Sequence, residues 1–200
     1  MIRVSRQYIV KIILSLLLVS GISFSVCSQG TSINGVINQY MDVVAIGGPD
    51  NVTLSNAAIF NPGDTVLLIQ MKGVVMYGYE NNQNGSWAYN LGSPGGYEFL
   101  IIQSVNYGTG NIVFTSNLSN SYNTAGLVQL IKVPSYNAAT VTGDLTCQPW
   151  DSTSKTGGVL TLIVGGTLSL EANINVAGRG FAGGIPFMGD GICIINSLAL

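Results

Sequence analysis

Histidine is absent from all 200 residues. That absence excludes Ser-His-Asp and Cys-His catalysis, imidazole general bases and the usual zinc sites. Charge is scarce as well: Asp, Glu, Lys and Arg together make up 8% of the chain, far too little for the basic surface that nucleic acid or anionic lipid requires. Lys and Glu are thin, and no segment sustains a 3.6-residue apolar period, which removes the material for amphipathic helices. Glycine, asparagine, serine and threonine supply the polarity instead. An all-β protein is expected.

The amino-terminal 28 residues stand apart. Arg3, Arg6 and Lys11 precede an apolar stretch, 12–26, with small residues Val26 and Ser28 before Gln29. This is the pattern of a secretory signal cleaved after residue 28. The stretch is shorter than the roughly 20 apolar residues of a spanning helix, so no membrane span is expected after cleavage. Cleavage leaves Lys72, Lys132, Lys155 and Arg179 against nine acidic residues, a balance of −5. The remaining cysteines, Cys147 and Cys193, allow one disulfide in an oxidising compartment, or two buried thiols that act as small hydrophobes.

Turn and strand signals organise the chain beyond the signal. Residues 40–46, 51–55, 65–70, 97–105, 112–115 and 126–133 read as short strands separated by glycine-bearing turns. Pro62-Gly63 fits a type II turn, whose second central position needs positive φ. The apolar run 65–70 reads as a strand buried on both faces. A small β-barrel or sandwich module over 29–134 is expected, then an irregular crossover linker over 135–156 that carries Trp150 as a packing residue.

From 167 to 176 polar and apolar residues alternate without error: Leu168, Leu170, Ala172, Ile174 and Val176 share one face, which extends upstream through Leu160, Leu162 and Val164. Period two means a half-buried strand. Ten residues exceed an ordinary strand, so a bend near Ala172 is expected. Short strands cornered by glycine point to the first coils of a right-handed parallel β-solenoid over 157–200, with the leucines lining its interior.

Chemistry-bearing residues are few. Asp42, Asp64, Glu80, Glu98, Asp144 and Asp151 could form an acid pair, but Asp64 and Asp144 follow turn glycines and Glu98 opens a strand. The solenoid part offers only Glu171, Arg179 and Asp190, too little for the calcium cluster and base of a β-helix polysaccharide lyase. No catalytic residue, metal or cofactor is expected. The clearest binding feature is 77–97, where Tyr77, Tyr79, Trp87, Tyr89 and Tyr97 sit among Asn, Gln and Gly. Flat rings stack on sugars and amides supply adaptable hydrogen bonds, although the same rings can pack over the barrel. Thr65 and Ser152 each follow an aspartate in a short Asp-Ser/Thr pattern, and Ser152 is the better candidate for O-glycosylation.

The motifs I-N-Q-Y-M-D-V-V, F-N-P-G-D-T-V-L-L-I-Q-M-K-G, Y-E-F-L-I-I-Q-S-V, P-W-D and G-R-G-F-A-G-G occur in that order. Their succession resembles the amino-terminal region of large secreted, adhesin-like proteins of the Bacteroidetes, which often end in a gliding-motility or type IX sorting domain. The resemblance runs from about residue 37 to 184. It implies an exported, non-enzymatic protein at the cell surface or outside the cell, contacting a glycan or a neighbouring surface protein. Such proteins continue well past the length seen here, so the chain reads as a truncated or short relative. The alternative is a fragment of a carbohydrate-active β-helix enzyme, a lyase or hydrolase.

Overall fold

The computed structural model describes residues 30–77, 87–90 and 92–181. The expected signal at 1–28, Tyr79 and Cys193 lie outside them. The described residues are all-β, with thirteen strands and a single 3-10 turn at Thr124–Gly126. None of their helices is long and apolar enough to cross a membrane. The first strand, β1 (Thr31–Val36), is followed by β2 (Gln39–Ile46), β3 (Asn51–Leu54), β4 (Thr65–Gln70), β5 (Val74–Tyr77) and β6 (Trp87–Asn90). Next come β7 (Tyr97–Asn106), β8 (Asn111–Phe114), β9 (Val128–Lys132), β10 (Ser135–Tyr136), β11 (Ala139–Thr146), β12 (Ile163–Val164) and β13 (Leu168–Leu170).

Six of these close a barrel in the order β2-β3-β8-β7-β4-β9, and every neighbouring pair is antiparallel. Closure leaves no exposed edge. Alternation fills the interior: Val52 and Leu54 from β3, Val66 and Leu68 from β4, Leu100 and Ile102 from β7, and Ile112 and Phe114 from β8 are all buried. The run 65–70 is buried on both faces as expected, because Leu67 and Ile69 pack outside the wall with Tyr40, Ile131, Val133 and Val159. Gly63 has φ +88, as the Pro62-Gly63 turn requires.

The second sheet is parallel. β1 pairs with β11 and β11 with β13, while β10 pairs with β12 and Leu145 bridges Ile174. Two sequence expectations change here. Residues 135–156 are not all irregular, because 135–146 carry β10 and β11. Residues 31–36 pair with β11 rather than with the barrel, so the barrel strands lie in sequence between two members of one parallel sheet. Parallel partners come from distant sequence, and although β11 alternates as A-T-V-T-G-D-L-T, period two says nothing of which strand lies beside it. The bend near Ala172 is present, since β13 ends at Leu170 and a bend follows. Leu168 and Leu170 do not line a buried interior among the described residues: they are 37% and 61% exposed, and β13 is paired on one edge only there.

The segment 157–161, which leads into β12, is fastened by two barrel side chains, Gln129 and Tyr40, and by Asn38 from the link between β1 and β2, which grip alternate residues. Gln129 Nε2 donates to the Gly157 carbonyl at 2.9 Å, and its Oε1 accepts from Gly157 N–H at 2.9 Å. Tyr40 Oη donates to the Val159 carbonyl at 2.6 Å. Asn38 repeats the two-way grip on Thr161, donating to its carbonyl at 2.7 Å and accepting from its N–H at 3.0 Å. Side-chain amides thus act as short pieces of strand edge, satisfying backbone groups that burial would otherwise strand.

Burial pushes the Tyr40 hydroxyl up to about 12, with the nearby Cys147 thiol adding to the rise. Burial and a hydrogen bond with Glu98 also push Tyr122 upward. Both phenols are held neutral by the fold, so their contribution is whole below the ordinary tyrosine pKa of about 10 and is lost as pH climbs beyond it. We expect thermal stability to fall as pH rises from 10 through 12, tracked by circular dichroism alongside tyrosinate absorbance. Tyr40→Phe should show a smaller fall over that window. An equal fall would mean that Tyr40 does not set it.

Candidate functional site

The aromatic stretch is not a structureless loop at its ends. Two apolar tetrads, V-V-M-Y and W-A-Y-N, pair as the antiparallel hairpin β5–β6, with Tyr77 the register partner of Trp87 and Val75 that of Tyr89. The hairpin leaves the barrel just beyond Gln70, whose buried amide organises the exit. Its Oε1 accepts from Asn123 N–H at 2.9 Å, and its Nε2 donates to the Lys72 carbonyl at 2.8 Å. The chain returns through a turn in which Gly96 N–H donates to Ser93 and Gly95 N–H to the Gln70 carbonyl.

Tyr97 then opens β7 with its ring 58% exposed. Phe99, two residues on and on the same outer face, is 50% exposed and meets Tyr97 edge to face at 6.4 Å between centroids. Ile101 continues the row. Phe99 was not among the residues singled out from sequence. The signal that could have found it is the alternation Tyr97-Phe99-Ile101 against the buried Leu100 and Ile102. Asn120 Nδ2 donates to the Tyr97 carbonyl at 3.3 Å and lies 3.4 Å from the Tyr122 hydroxyl, placing an amide beside the ring row.

Four of the six candidate carboxylates, Asp42, Asp64, Glu98 and Asp151, are engaged structurally, and Glu80 lies outside the described residues. Asp64 pairs with Lys132 at 2.7 Å and accepts from Asn61 N–H. Glu98 accepts from the backbone of Ser119 and Asn120. Asp151 accepts from Thr153 and Ser154, bonds that hold its carboxyl below the usual range. Asp42 accepts from the Ser55 hydroxyl. Among the described residues no three His, Cys, Asp or Glu side chains gather as a metal site would require. Ser152 is exposed, whereas Thr65 is half-buried at the start of β4 opposite Ile101.

A separate cavity of about 350 Å³ lies between Asp42–Val44 of β2, the Thr124–Val128 turn and Lys155. Leu127 and Lys155, the two non-glycine residues with positive φ among the described residues, stand on its rim.

Arg179 and Trp150 serve packing. Arg179 donates to the Cys147 carbonyl at 2.9 Å, its own carbonyl accepts from Trp150 N–H, and the Trp150 and Phe181 rings meet at 4.9 Å between centroids, tilted by 60°. The G-R-G-F segment therefore binds the chain after β13 to the chain after β11, so Trp150 contacts the later turn. Cys147 is buried among these groups and is bonded to no other cysteine among the described residues, Cys193 lying outside them; burial raises its pKa while Arg179 opposes the rise. No family model, curated protein or solved structure matches the chain.

Proposed function

We propose that this chain is an exported, non-enzymatic surface protein of adhesive type, with its barrel set beside the first coils of a right-handed parallel β-solenoid. The solenoid reading draws support from a near-equal spacing at three points along one step between parallel rungs, although β1 pairs with β11 across a far longer interval that contains the barrel. Ala139 and Leu168 are 29 residues apart, Ser135 and Ile163 are 28, and Leu145 and Ile174 are 29. A near-equal interval along one step is what a coil of that length produces. The likeness of the ordered motifs to secreted Bacteroidetes adhesins supports export and surface location.

The observation that carries the adhesive reading is the exposed, edge-to-face Tyr97–Phe99 pair on the outer face of β7, which follows in sequence the hairpin bearing Tyr77, Trp87 and Tyr89. Contiguous exposed rings are uncommon on a surface with no partner, and aromatic faces with neighbouring amides suit the apolar faces and hydroxyl rims of sugars. The test is retention on immobilised plant and algal polysaccharides. Tyr97→Ala with Phe99→Ala is expected to weaken retention about tenfold, equivalent to about 1.4 kcal/mol, as is Trp87→Ala with Tyr89→Ala. Unchanged retention in both double variants removes the site. Release of reducing ends or unsaturated products from the same polysaccharides would favour the carbohydrate-active alternative.

A further inference from the structure

We propose that the cavity between β2, the Thr124–Val128 turn and Lys155 binds a small zwitterion, a free α-amino acid with an aliphatic side chain, held at both charged ends. Its position follows from the clamp on Gly157. Met41 and Val43 pack with the barrel interior and Tyr40 with the outer cluster, so alternation puts Asp42 on the outer wall. Asp42 is the register partner of Gln129, whose amide holds Gly157, and Lys155 lies two residues before that glycine. The cavity therefore sits in the seam between the barrel wall and the chain leading to β12. Ligand pockets concentrate at such seams. At about 350 Å³ it falls at the small end of their range, roughly 300–1,000 Å³, so it suits a small molecule rather than a polymer.

Two observations point to a ligand. The first is charge. Asp42 and Lys155 line the same cavity with opposite signs. Among the described residues the sole ion pair joins Lys132 to Asp64, so Asp42 and Lys155 are paired neither with each other nor with a third group there. The Asp42 carboxylate accepts from the Ser55 hydroxyl, and the Lys155 ammonium has no partner among the described residues. A carboxylate and an ammonium on one small cavity, each able to form a charge-assisted bond, match a molecule that carries both charges. Val44 and Leu127 supply apolar wall for its side chain.

The second observation is backbone strain. Leu127 and Lys155 hold φ 55 and 58, in the left-handed region that bulky residues avoid. Leu127 ends the 3-10 turn, its N–H donating to the Thr124 carbonyl, and Lys155 is the last residue of the loop closed by the Asp151–Thr156 bridge. Glycine would make either bend without steric cost. Both positions instead carry a side chain at the cavity, a leucine for the wall and a lysine for the charge. Strain kept at two points around one cavity marks side chains retained for binding rather than for the turn.

Calorimetric titration of the full chain with L-leucine tests the site. Saturable binding at a single site is expected, with a dissociation constant of about 1 mM or below. Leucinamide keeps the ammonium and lacks the carboxylate, whereas 4-methylvalerate keeps the carboxylate and lacks the ammonium. Each is expected to bind at least about tenfold more weakly. Lys155→Met should erase the difference between leucine and leucinamide, and Asp42→Asn that between leucine and 4-methylvalerate. Lys155→Gly separates the side chain from the fold. Leucine binding should be lost while the thermal midpoint stays level or rises, as relief of the left-handed strain requires. No saturable heat with leucine, equal affinity for the three probes, or undiminished leucine binding in Lys155→Gly would each overturn the proposal. Polysaccharide retention enters none of these readouts, so this site and the aromatic one stand or fall separately.

Discussion

Gln129→Ala is expected to lower the unfolding free energy by about 2–6 kcal/mol. Gln129 is fully buried in β9, and both ends of its amide are committed to Gly157. Removing the amide strands one buried backbone N–H and one C=O, at about 1–3 kcal/mol for each group. Denaturant midpoints measure the loss, and hydrogen exchange locates it, with Gly157 N–H expected to lose protection first. Gln129→Glu separates lost hydrogen bonding from lost volume. Its carboxyl can accept from Gly157 N–H, but it can donate to the Gly157 carbonyl only when protonated. The fold therefore raises this glutamate's pKa above its unfolded value of about 4.3. Stability of that variant should be highest below pH 4 and decline as pH rises through the folded pKa. A variant indifferent to pH in that range would show that the amide is not read by the Gly157 backbone.

That clamp also marks where the sequence is silent. The barrel strands were legible as short apolar segments between turn signals: β4 as a continuous apolar run, β7 as E-F-L-I-I-Q-S-V before a glycine-bearing turn, and the turn at Pro62-Gly63. Gln70 and Gln129 were visible only as single polar residues interrupting apolar strands, in L-L-I-Q and V-Q-L-I. An isolated glutamine in such a run is a signal that something buried needs its amide, yet nothing local names the partner. Gly157 and Thr161 lie 28 and 123 residues from the side chains that hold them. The same distance hid β1, whose partner β11 begins more than 100 residues later.

The aromatic stretch was legible by composition but not by geometry. Tyr77, Trp87 and Tyr89 fall on strands because V-V-M-Y and W-A-Y-N are β-favouring tetrads, too short to stand out beside the glycine and asparagine between them. Phe99 was hidden in the opposite way, inside the continuous apolar run F-L-I-I of β7, where its outward position does not stand out. Alternation from 167 to 176 correctly gave a strand and its bend. It could not say whether a neighbour covers the inward side, because period two reports which residues share a face and not what lies against it.

The second large effect is expected at the β7–β8 turn. Gly110 holds φ +73, its carbonyl accepts from Leu54 N–H at 2.9 Å, and its N–H donates to the Asn106 carbonyl at 2.8 Å. A Cβ placed on it would lie 2.3 Å from the Leu54 carbonyl oxygen, a backbone atom inside the barrel wall. Relief would require β3 to move away from β8 and give up the bond that joins them. Gly110→Ala therefore combines a left-handed backbone cost of about 1–2 kcal/mol with an overpacking cost of about 1–3 kcal/mol. Gly63 supplies the comparison. It too is left-handed, at φ +88, but a Cβ there meets nothing within 4 Å, so Gly63→Ala should cost only the conformational part. Denaturation of the two variants beside the wild type measures the difference, expected to be at least about 1 kcal/mol in the direction of a weaker Gly110→Ala. Equal losses would show that β3 yields freely, and that the barrel wall at Leu54 is softer than its closed hydrogen-bonded ring implies.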